Sequence, residues 1–214
     1  MAAVAFGHAS STVNSATATS RTWAHDCTGD NYLVASDNHR NNPGTTSATY
    51  NGVSMSLLQT TTAAFNFQNF FGLSSPSTGS NNIVVSWTNS VNMGGVGMSF
   101  SGVSSVGTII QASVAGSAGT PYGASATLTA NDMLVGASGV PDVASTISVT
   151  TGTERAEGGD ASTDATCNGG TNTGVGPVNL EWTYTPADPK TYIALPLIGS
   201  ASYTQGPDLR PYFY

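Results

Sequence analysis

The clearest turn in the chain lies between two runs of β-forming residues, the second of which alternates apolar and polar positions. The stretch TTSATYNGVSMSLL contains Asn51-Gly52, and beyond this pair Val53, Met55 and Leu57 alternate with serine or leucine. Alternation with a period of two is typical of a strand that buries one face. Asn-Gly suits the two positive-φ positions of a type I′ turn. The pattern therefore predicts a β-hairpin and a β-rich fold.

Similar short runs recur along the chain, and none has the period of a helix. Besides the hairpin, strands are predicted at residues 2–6, 21–27, 32–36, 65–73, 83–87, 95–103, 125–129, 133–138, 145–153, 178–184 and 191–197. The doubled aromatic Phe70-Phe71 predicts either a bulge or a strand that is buried on both faces. Pro196 predicts that its strand lies at a sheet edge or contains a bulge at this position. Polar connections are predicted at residues 7–20, 37–46 and 154–176. We predict an all-β, two-sheet antiparallel β-sandwich, jelly-roll-like, with long polar loops.

The chain of 214 residues is long enough to bury one substantial core. We predict a single β-sandwich domain over residues 1–198, followed by an extended C-terminal arm over residues 199–214. No internal repeat of the kind that builds a solenoid or a propeller is evident.

The composition excludes two classes of partner. Only 8% of the residues are charged, and five Lys and Arg are scattered among twelve Asp and Glu, for a net charge of -7. Without a basic patch, nucleic-acid binding is not expected. No window approaches the ~20 apolar residues that span a bilayer, so no membrane partner is expected. The N-terminus lacks the basic region of a secretory signal, so we expect a protein that is either made in a cytoplasm or already processed.

The two cysteines, Cys27 and Cys167, lie far apart in the sequence. A disulfide between them would close a very long loop, which would stabilise the fold by roughly 5 kcal/mol in the chain-entropy model. Because no secretory signal is evident, two separate, partly buried thiols are the favoured interpretation, and the disulfide is the alternative.

Two groups of titratable residues are candidates for chemistry. Two imidazoles and three carboxylates fall within one short stretch, namely His25, Asp26, Asp30, Asp37 and His39. Their side chains could converge on a metal ion, but the favoured interpretation is that they lie at solvated loop ends. A second group of acids consists of Glu154, Glu157, Asp160 and Asp164. They are interpreted as surface acids, and the alternatives are a calcium-binding loop or the paired carboxylates of a glycosidase. No nucleophile elbow, phosphate loop or zinc motif is present. We expect no enzyme, no cofactor and no metal.

Three tryptophans and the C-terminus carry the remaining candidates. Trp23, Trp87 and Trp182 sit in alternating strands, which favours core packing, with a sugar-binding platform as the alternative. The last residues, GSASYTQGPDLRPYFY, have no strand pattern and are too apolar to remain in water. They either fold back on their own sandwich or contact a neighbouring subunit. The candidate contact residues are Tyr203, Leu209, Arg210, Tyr212, Phe213 and Tyr214.

Four segments, TWAHDCTGDNYLVAS, ATYNGVSM, NIVVSWT and SFSGV, carry a resemblance to a known family. Their series resembles small jelly-roll β-sandwich proteins among the virion components of tailed phages, including capsid decoration proteins and tail-associated domains. The resemblance covers residues 20–105 and rests on strand and turn patterns. The family has no catalytic residues to transfer, and this chain differs from it in the glycine-rich residues 107–123 and in the aromatic arm.

The resemblance implies a non-enzymatic structural protein of the virion, assembled in the host cytoplasm. The favoured role is that of a capsid decoration or cement protein. Such a protein is expected to be a homo-oligomer that binds other copies of itself and other virion proteins, such as the major capsid protein or tail components. One alternative is a glycan- or receptor-binding module of a phage tail or surface fibre that uses the loops at residues 37–46 and 154–176. Another is a subunit of an extracellular filament joined by strand donation.

Overall fold

A computed structural model describes residues 2–114, 122–141, 146–159, 165–185 and 189–200. Across these ranges the chain is 77% strand and contains no helix, with antiparallel sheets packed against one another. The predicted all-β antiparallel sandwich is confirmed. No helix that could span a membrane occurs in the part of the chain that the structure describes.

The described residues form sixteen strands, and several are longer than the sequence pattern predicts. The first eight are β1 (Ala5–Asp26), β2 (Tyr32–Arg40), β3 (Thr46–Tyr50), β4 (Val53–Ser54), β5 (Ser56–Ala63), β6 (Asn66–Ser74), β7 (Ser80–Ser101) and β8 (Val103–Val106). The others are β9 (Ile110–Val114), β10 (Tyr122–Leu128), β11 (Met133–Val140), β12 (Thr146–Thr151), β13 (Thr153–Gly158), β14 (Thr166–Asn172), β15 (Gly176–Thr185) and β16 (Lys190–Gly199).

The described strands form three sheets rather than the two expected. Sheet A has the order β4-β3-β7-β2-β6-β5, and β1 also pairs with β7. Sheet B has the order β13-β14-β11-β16-β8, and β9 also pairs with β16. Sheet C has the order β10-β15-β12.

The second half of the chain repeats the strand pairing of the first half. In the first half β2 pairs with β6 and β7, β6 pairs with β5, and β1 and β3 both pair with β7. In the second half β11 pairs with β14 and β16, β14 pairs with β13, and β10 and β12 both pair with β15. We call residues 5–101 repeat 1 and residues 103–199 repeat 2. Strand β15 corresponds to the first part of β7, and β16 corresponds to its last part. Strands β8 and β9 correspond to the start of β1, and β10 corresponds to its end.

The first strand bends back on itself. Trp23 Nε1 donates a hydrogen bond to Ser10 Oγ at 3.1 Å, although both residues belong to β1. A straight strand would hold them about 40 Å apart. The register of β1 against β7 is interrupted between Asn14 and Ser20, and this is where the two paired strands turn. The bend places the end of β1 and the start of β7 over the outer face of sheet A.

Three apolar clusters lie between the layers. Sheets A and B pack face to face through Val34, Phe70, Met98, Val135 and Leu195. A second cluster fills the bend of sheet A, and its main members are Trp23, Tyr50, Phe71, Ile83, Trp87 and Met93. A third joins sheet C to the outer face of sheet B through Leu134, Leu180, Trp182, Tyr184 and Ala194. Each repeat is thus its own sandwich, and the two repeats share the middle core.

The turn prediction at Asn51-Gly52 is confirmed. Asn51 has φ 49° and Gly52 has φ 76°, and Tyr50 pairs with Val53 across the turn. The predicted alternation beyond the turn holds less well, because Met55 is buried whereas Val53 and Leu57 are about half exposed. The second arm of the hairpin is therefore short, and the chain passes on to pair with β6.

Several predicted loops are strands. Residues 7–20 belong to β1, residues 37–40 to β2, and most of residues 154–172 to β13 and β14. Phe70 and Phe71 face different clusters, so β6 is a strand buried on both faces. Pro196 lies in a central strand, since β16 pairs with β11 on one side and with β8 and β9 on the other. Proline has no N–H to donate, and β8 and β9 are separated at this point: Leu197 pairs with Val106 and Ala194 with Ile110.

Candidate functional site

The predicted cluster of imidazoles and carboxylates divides into two separate groups. The first group lies where β1 meets the turn before β2. His8 Nδ1 lies 3.0 Å from Asp30 Oδ2, and Ser99 Oγ donates to the same oxygen at 2.5 Å. Asp26 accepts the backbone N–H and the hydroxyl of Thr28. These hydrogen bonds lower the pKa of the Asp26 carboxyl, and they give the two carboxylates an evident role in holding the turn.

His25 lies behind this group and is nearly fully buried, with 2% of its surface exposed. Its Nδ1 lies 2.7 Å from Ser10 Oγ, which also accepts the indole N–H of Trp23. Burial, reinforced by the nearby His8, lowers the pKa of His25 to about 4. The imidazole is therefore neutral near pH 7. A serine hydroxyl beside a neutral imidazole resembles half of a hydrolase triad, but no carboxylate contacts His25 Nε2 in the described residues.

The second group, Asp37 and His39, lies inside the bent sheet rather than in a loop. Their side chains are 0% exposed, and Asp37 Oδ2 lies 3.1 Å from His39 Nε2. Asp37 Oδ1 accepts the backbone N–H and the side-chain amide of Asn69, and the His39 ring packs edge to face on Trp87. The interpretation of these residues as solvated loop ends is therefore wrong for this pair. A metal ligand set of three or more His, Cys, Asp or Glu is absent from the residues that the structure describes.

The three tryptophans belong to the core. Their exposed fractions are 8% for Trp23, 4% for Trp87 and 0% for Trp182. Each indole N–H donates inside the protein: that of Trp87 to the Ala18 carbonyl at 2.7 Å and that of Trp182 to Asn168 Oδ1 at 3.1 Å. A sugar platform needs an open indole face. In this arrangement the rings serve packing instead.

The remaining candidates are placed as follows. Cys27 and Cys167 are buried free thiols, Cys27 in the cluster inside the bend and Cys167 in the middle core. Glu154 and Glu157 lie on β13, whereas Asp160 and Asp164 lie outside the described residues. The candidate contact residues of the arm also lie outside them, namely Tyr203, Leu209, Arg210, Tyr212, Phe213 and Tyr214.

A groove between two sheet edges is the main surface feature that the sequence did not predict. Strand β5 ends the order of sheet A, β8 ends that of sheet B, and a groove of about 770 Å³ lies between them. Its walls combine hydroxyl and apolar side chains and carry no charge; they are Asn31, Tyr32, Ser56, Leu58, Gly72, Leu73, Ser74, Ser75, Val103, Ser104, Ser105 and Val106. Val106 is 41% exposed, and Leu58 on the β5 side of the groove is partly buried.

Hydrogen bonds hold the groove walls in place. The Asn31 side chain donates to the Val103 carbonyl at 2.7 Å and accepts the Val103 N–H at 3.1 Å, which ties β8 to the turn before β2. Ser104 Oγ donates to the Ile198 carbonyl at 2.9 Å. Tyr32 and Leu58 both approach Gly72, where an added Cβ would clash with their side chains. The groove is thus a cleft between two strand edges that, among the described residues, each have a partner strand on one side only, which is the geometry that accepts an extended peptide.

Comparison with known proteins finds no family model and no curated protein that matches this chain.

Proposed function

We propose that this chain is a non-enzymatic structural protein of a virion, a capsid decoration or cement protein that docks on neighbouring subunits. The groove between β5 and β8 carries the proposal, because it lies between two strand edges that pair with no other described strand, and partly buried Leu58 and exposed Val106 line it as a surface suited to another polypeptide. In this proposal the partners are the major capsid protein and further copies of the chain, and the site of action is the particle assembled in the host cytoplasm.

The composition supports the same function. With 8% charged residues, the surface is built mainly from Ser, Thr, Asn and Gly. Such a surface desolvates at lower cost than a charged one, which favours close packing against a lattice of other subunits.

Copy number in purified particles tests this function. Mass spectrometry of particles from the source should give a ratio to the major shell protein of one to one or a simple fraction of it. A handful of copies per particle would move the chain to the tail and favour the glycan- or receptor-binding alternative. Absence from particles would overturn the virion proposal and favour the filament alternative.

A further inference from the structure

The two repeats face each other with approximate two-fold symmetry. Across the middle core β1 contacts β13 and β5 contacts β9, and in the same way β7 contacts β14 and β6 contacts β16. The start of β1 corresponds to β9, and β5 corresponds to β13, so the contact of β1 with β13 is equivalent to the contact of β9 with β5. Because β7 corresponds to β16 and β14 to β6, the contact of β7 with β14 is likewise equivalent to the contact of β16 with β6. The arrangement is that of an isologous dimer built within one chain.

Strand register identifies equivalent residues at the two edges of this pseudo-dimer. The first residue of β2 pairs with Phe100, which pairs with Phe6 in β1. The first residue of β11 pairs with Leu197, which pairs with Val106 in β8. Phe6 and Val106 therefore occupy equivalent positions.

The facing strands can be matched in the same way. Ser56 of β5 pairs with a residue of β6 that in turn pairs with the third residue of β2. In the same way, Thr153 of β13 pairs with a residue of β14 that pairs with the third residue of β11. Two residues further on, both strands have a register irregularity, which contains Leu58 in β5 and Arg155 in β13. Leu58 and Arg155 therefore occupy equivalent positions.

One edge is filled and the other is open. At the edge between β1 and β13 the Arg155 guanidinium lies 4.1 Å from the centroid of the Phe6 ring, and that ring packs edge to face on Phe100. At the edge between β8 and β5, Val106 and Leu58 leave a groove of about 770 Å³ between them. At the groove, Val106 of repeat 2 stands in the place of the aromatic ring, and Leu58 of repeat 1 stands in the place of the guanidinium, that close the other edge.

The C-terminal segment carries the missing chemistry. Residues 201–214, ASYTQGPDLRPYFY, contain four aromatic rings and Arg210, with a single acid to balance that charge. Fully extended, the segment reaches roughly 45 Å. The walls of the groove are uncharged and rich in serine, so they suit tyrosine rings and an extended backbone.

We propose that the groove between β5 and β8 binds residues 201–214 of a second copy of this chain, whose aromatic side chains fill the space between Leu58 and Val106. The proposal rests on the assembly function proposed above and names the surface through which copies join.

The position of Ser200 favours a second copy over the chain's own segment. The Ser200 N–H donates to the Ala2 carbonyl at 3.3 Å, and the Ser200 carbonyl accepts from Asn131 at 3.2 Å. Gly102, immediately before β8, is packed against Ala3. The chain's own segment would have to pass this obstruction and would then run parallel to β8, because β16 is antiparallel to it. A segment from another molecule can enter antiparallel, which gives the better hydrogen-bond geometry.

Full-length variants test the proposal by sedimentation velocity. The groove variants are Val106→Glu and Ser105→Arg, and the arm variant combines Tyr212→Ser, Phe213→Ser and Tyr214→Ser. The matched control is Val175→Glu, which places the same charge at a valine that is 74% exposed and does not line the groove. We expect self-association to weaken at least tenfold in the groove and arm variants and to remain unchanged in the control.

Mixing separates a trans contact from a folding defect. The Val106→Glu chain keeps its arm and the arm variant keeps its groove, so an equimolar mixture should form a one-to-one complex that neither variant forms alone. Unchanged self-association of both groove variants, or a mixture that does not associate, would overturn the proposal. An intact chain that stays monomeric at every concentration tested would overturn it as well.

Particle incorporation distinguishes this inference from the function on which it rests. Groove variants that lose self-association but enter particles at full copy number would leave both the groove inference and the virion proposal standing. Wild-type chain that self-associates through the groove but is absent from particles would leave the groove inference standing and end the virion proposal.

Discussion

His39 Nε2 lies 3.1 Å from Asp37 Oδ2, and both side chains are completely buried in the bend of sheet A. Asn69 satisfies the other carboxylate oxygen through its backbone and side-chain N–H groups. The pair is therefore tied to the strand next to it, and Asp37 gives the His39 imidazole, whose ring packs on Trp87, a polar neighbour in an apolar cluster.

Removing the carboxylate should be strongly destabilising. Asp37→Ala leaves the two Asn69 N–H groups without their acceptor and removes the carboxylate that lies 3.1 Å from the His39 ring, which we expect to lower the free energy of unfolding by about 3–5 kcal/mol. Urea denaturation followed by circular dichroism measures this. Glu154→Gln is the control, because that carboxylate is exposed on β13 and its loss should change stability by less than about 0.5 kcal/mol. Similar small effects from both variants would contradict the prediction.

His25 should make stability fall in mild acid. The pKa of His25 in the folded protein is about 4, below the ordinary value of 6.5. Between these two pH values the unfolded chain binds a proton at His25 and the folded chain does not, so protonation favours unfolding. The contribution of His25 to stability is complete above pH 6.5 and is lost as the pH falls toward 4. The loss should amount to roughly 3 kcal/mol across this window.

The variant His25→Asn isolates this effect. It keeps a polar group for Ser10 but cannot titrate, so its unfolding free energy should fall less than that of the wild type between pH 7 and pH 4. The other titrating groups are common to both chains and cancel in the difference. Parallel pH profiles for the two proteins would show that His25 does not carry the dependence.

The sequence predicted the fold class because local rules agree with it. The Asn51-Gly52 turn and the alternating runs near Ile83 and Trp182 are short-range signals, and the structure keeps them. Long strands rich in Ser, Thr, Asn and Gly were not predicted, because those residues also favour loops. In β7 such residues serve close packing: a side chain at Gly94 would contact the backbone of Gly158.

The repeat and the groove depend on longer-range information. The segment TGDNYLV before and within β2 corresponds to TANDMLV at β11, and Trp87-Thr88 corresponds to Trp182-Thr183. This similarity is detectable in the sequence but is short enough to pass as chance. The groove arises where two strands distant in the chain fail to fill an edge, and no local pattern records that. Similarly, Asp37 and His39 have the composition of a loop, and only the pairing with Asn69 explains their burial.

The shared core should not tolerate a methyl group at Gly139. An added Cβ there would lie against the side chain of Asn38, which donates to the Val140 carbonyl at 2.8 Å across the two repeats. Gly139→Ala should cost about 1–3 kcal/mol of stability through overpacking. Combining it with Asn38→Ala should cost less than the sum of the single variants, because the second change removes the clash. Additive costs in denaturant unfolding would contradict this coupling.

The two thiols should be inert in the native protein. Burial raises the pKa of Cys27 and raises the pKa of Cys167 to about 12, so neither provides thiolate near pH 7. Iodoacetamide should therefore modify both cysteines only after unfolding, and mass spectrometry of native protein should show an unmodified chain with both thiols free. Labelling in urea is the positive control for reagent activity. Rapid modification of Cys167 without denaturant would mean that the two repeats separate readily, since that thiol lies in the core between them.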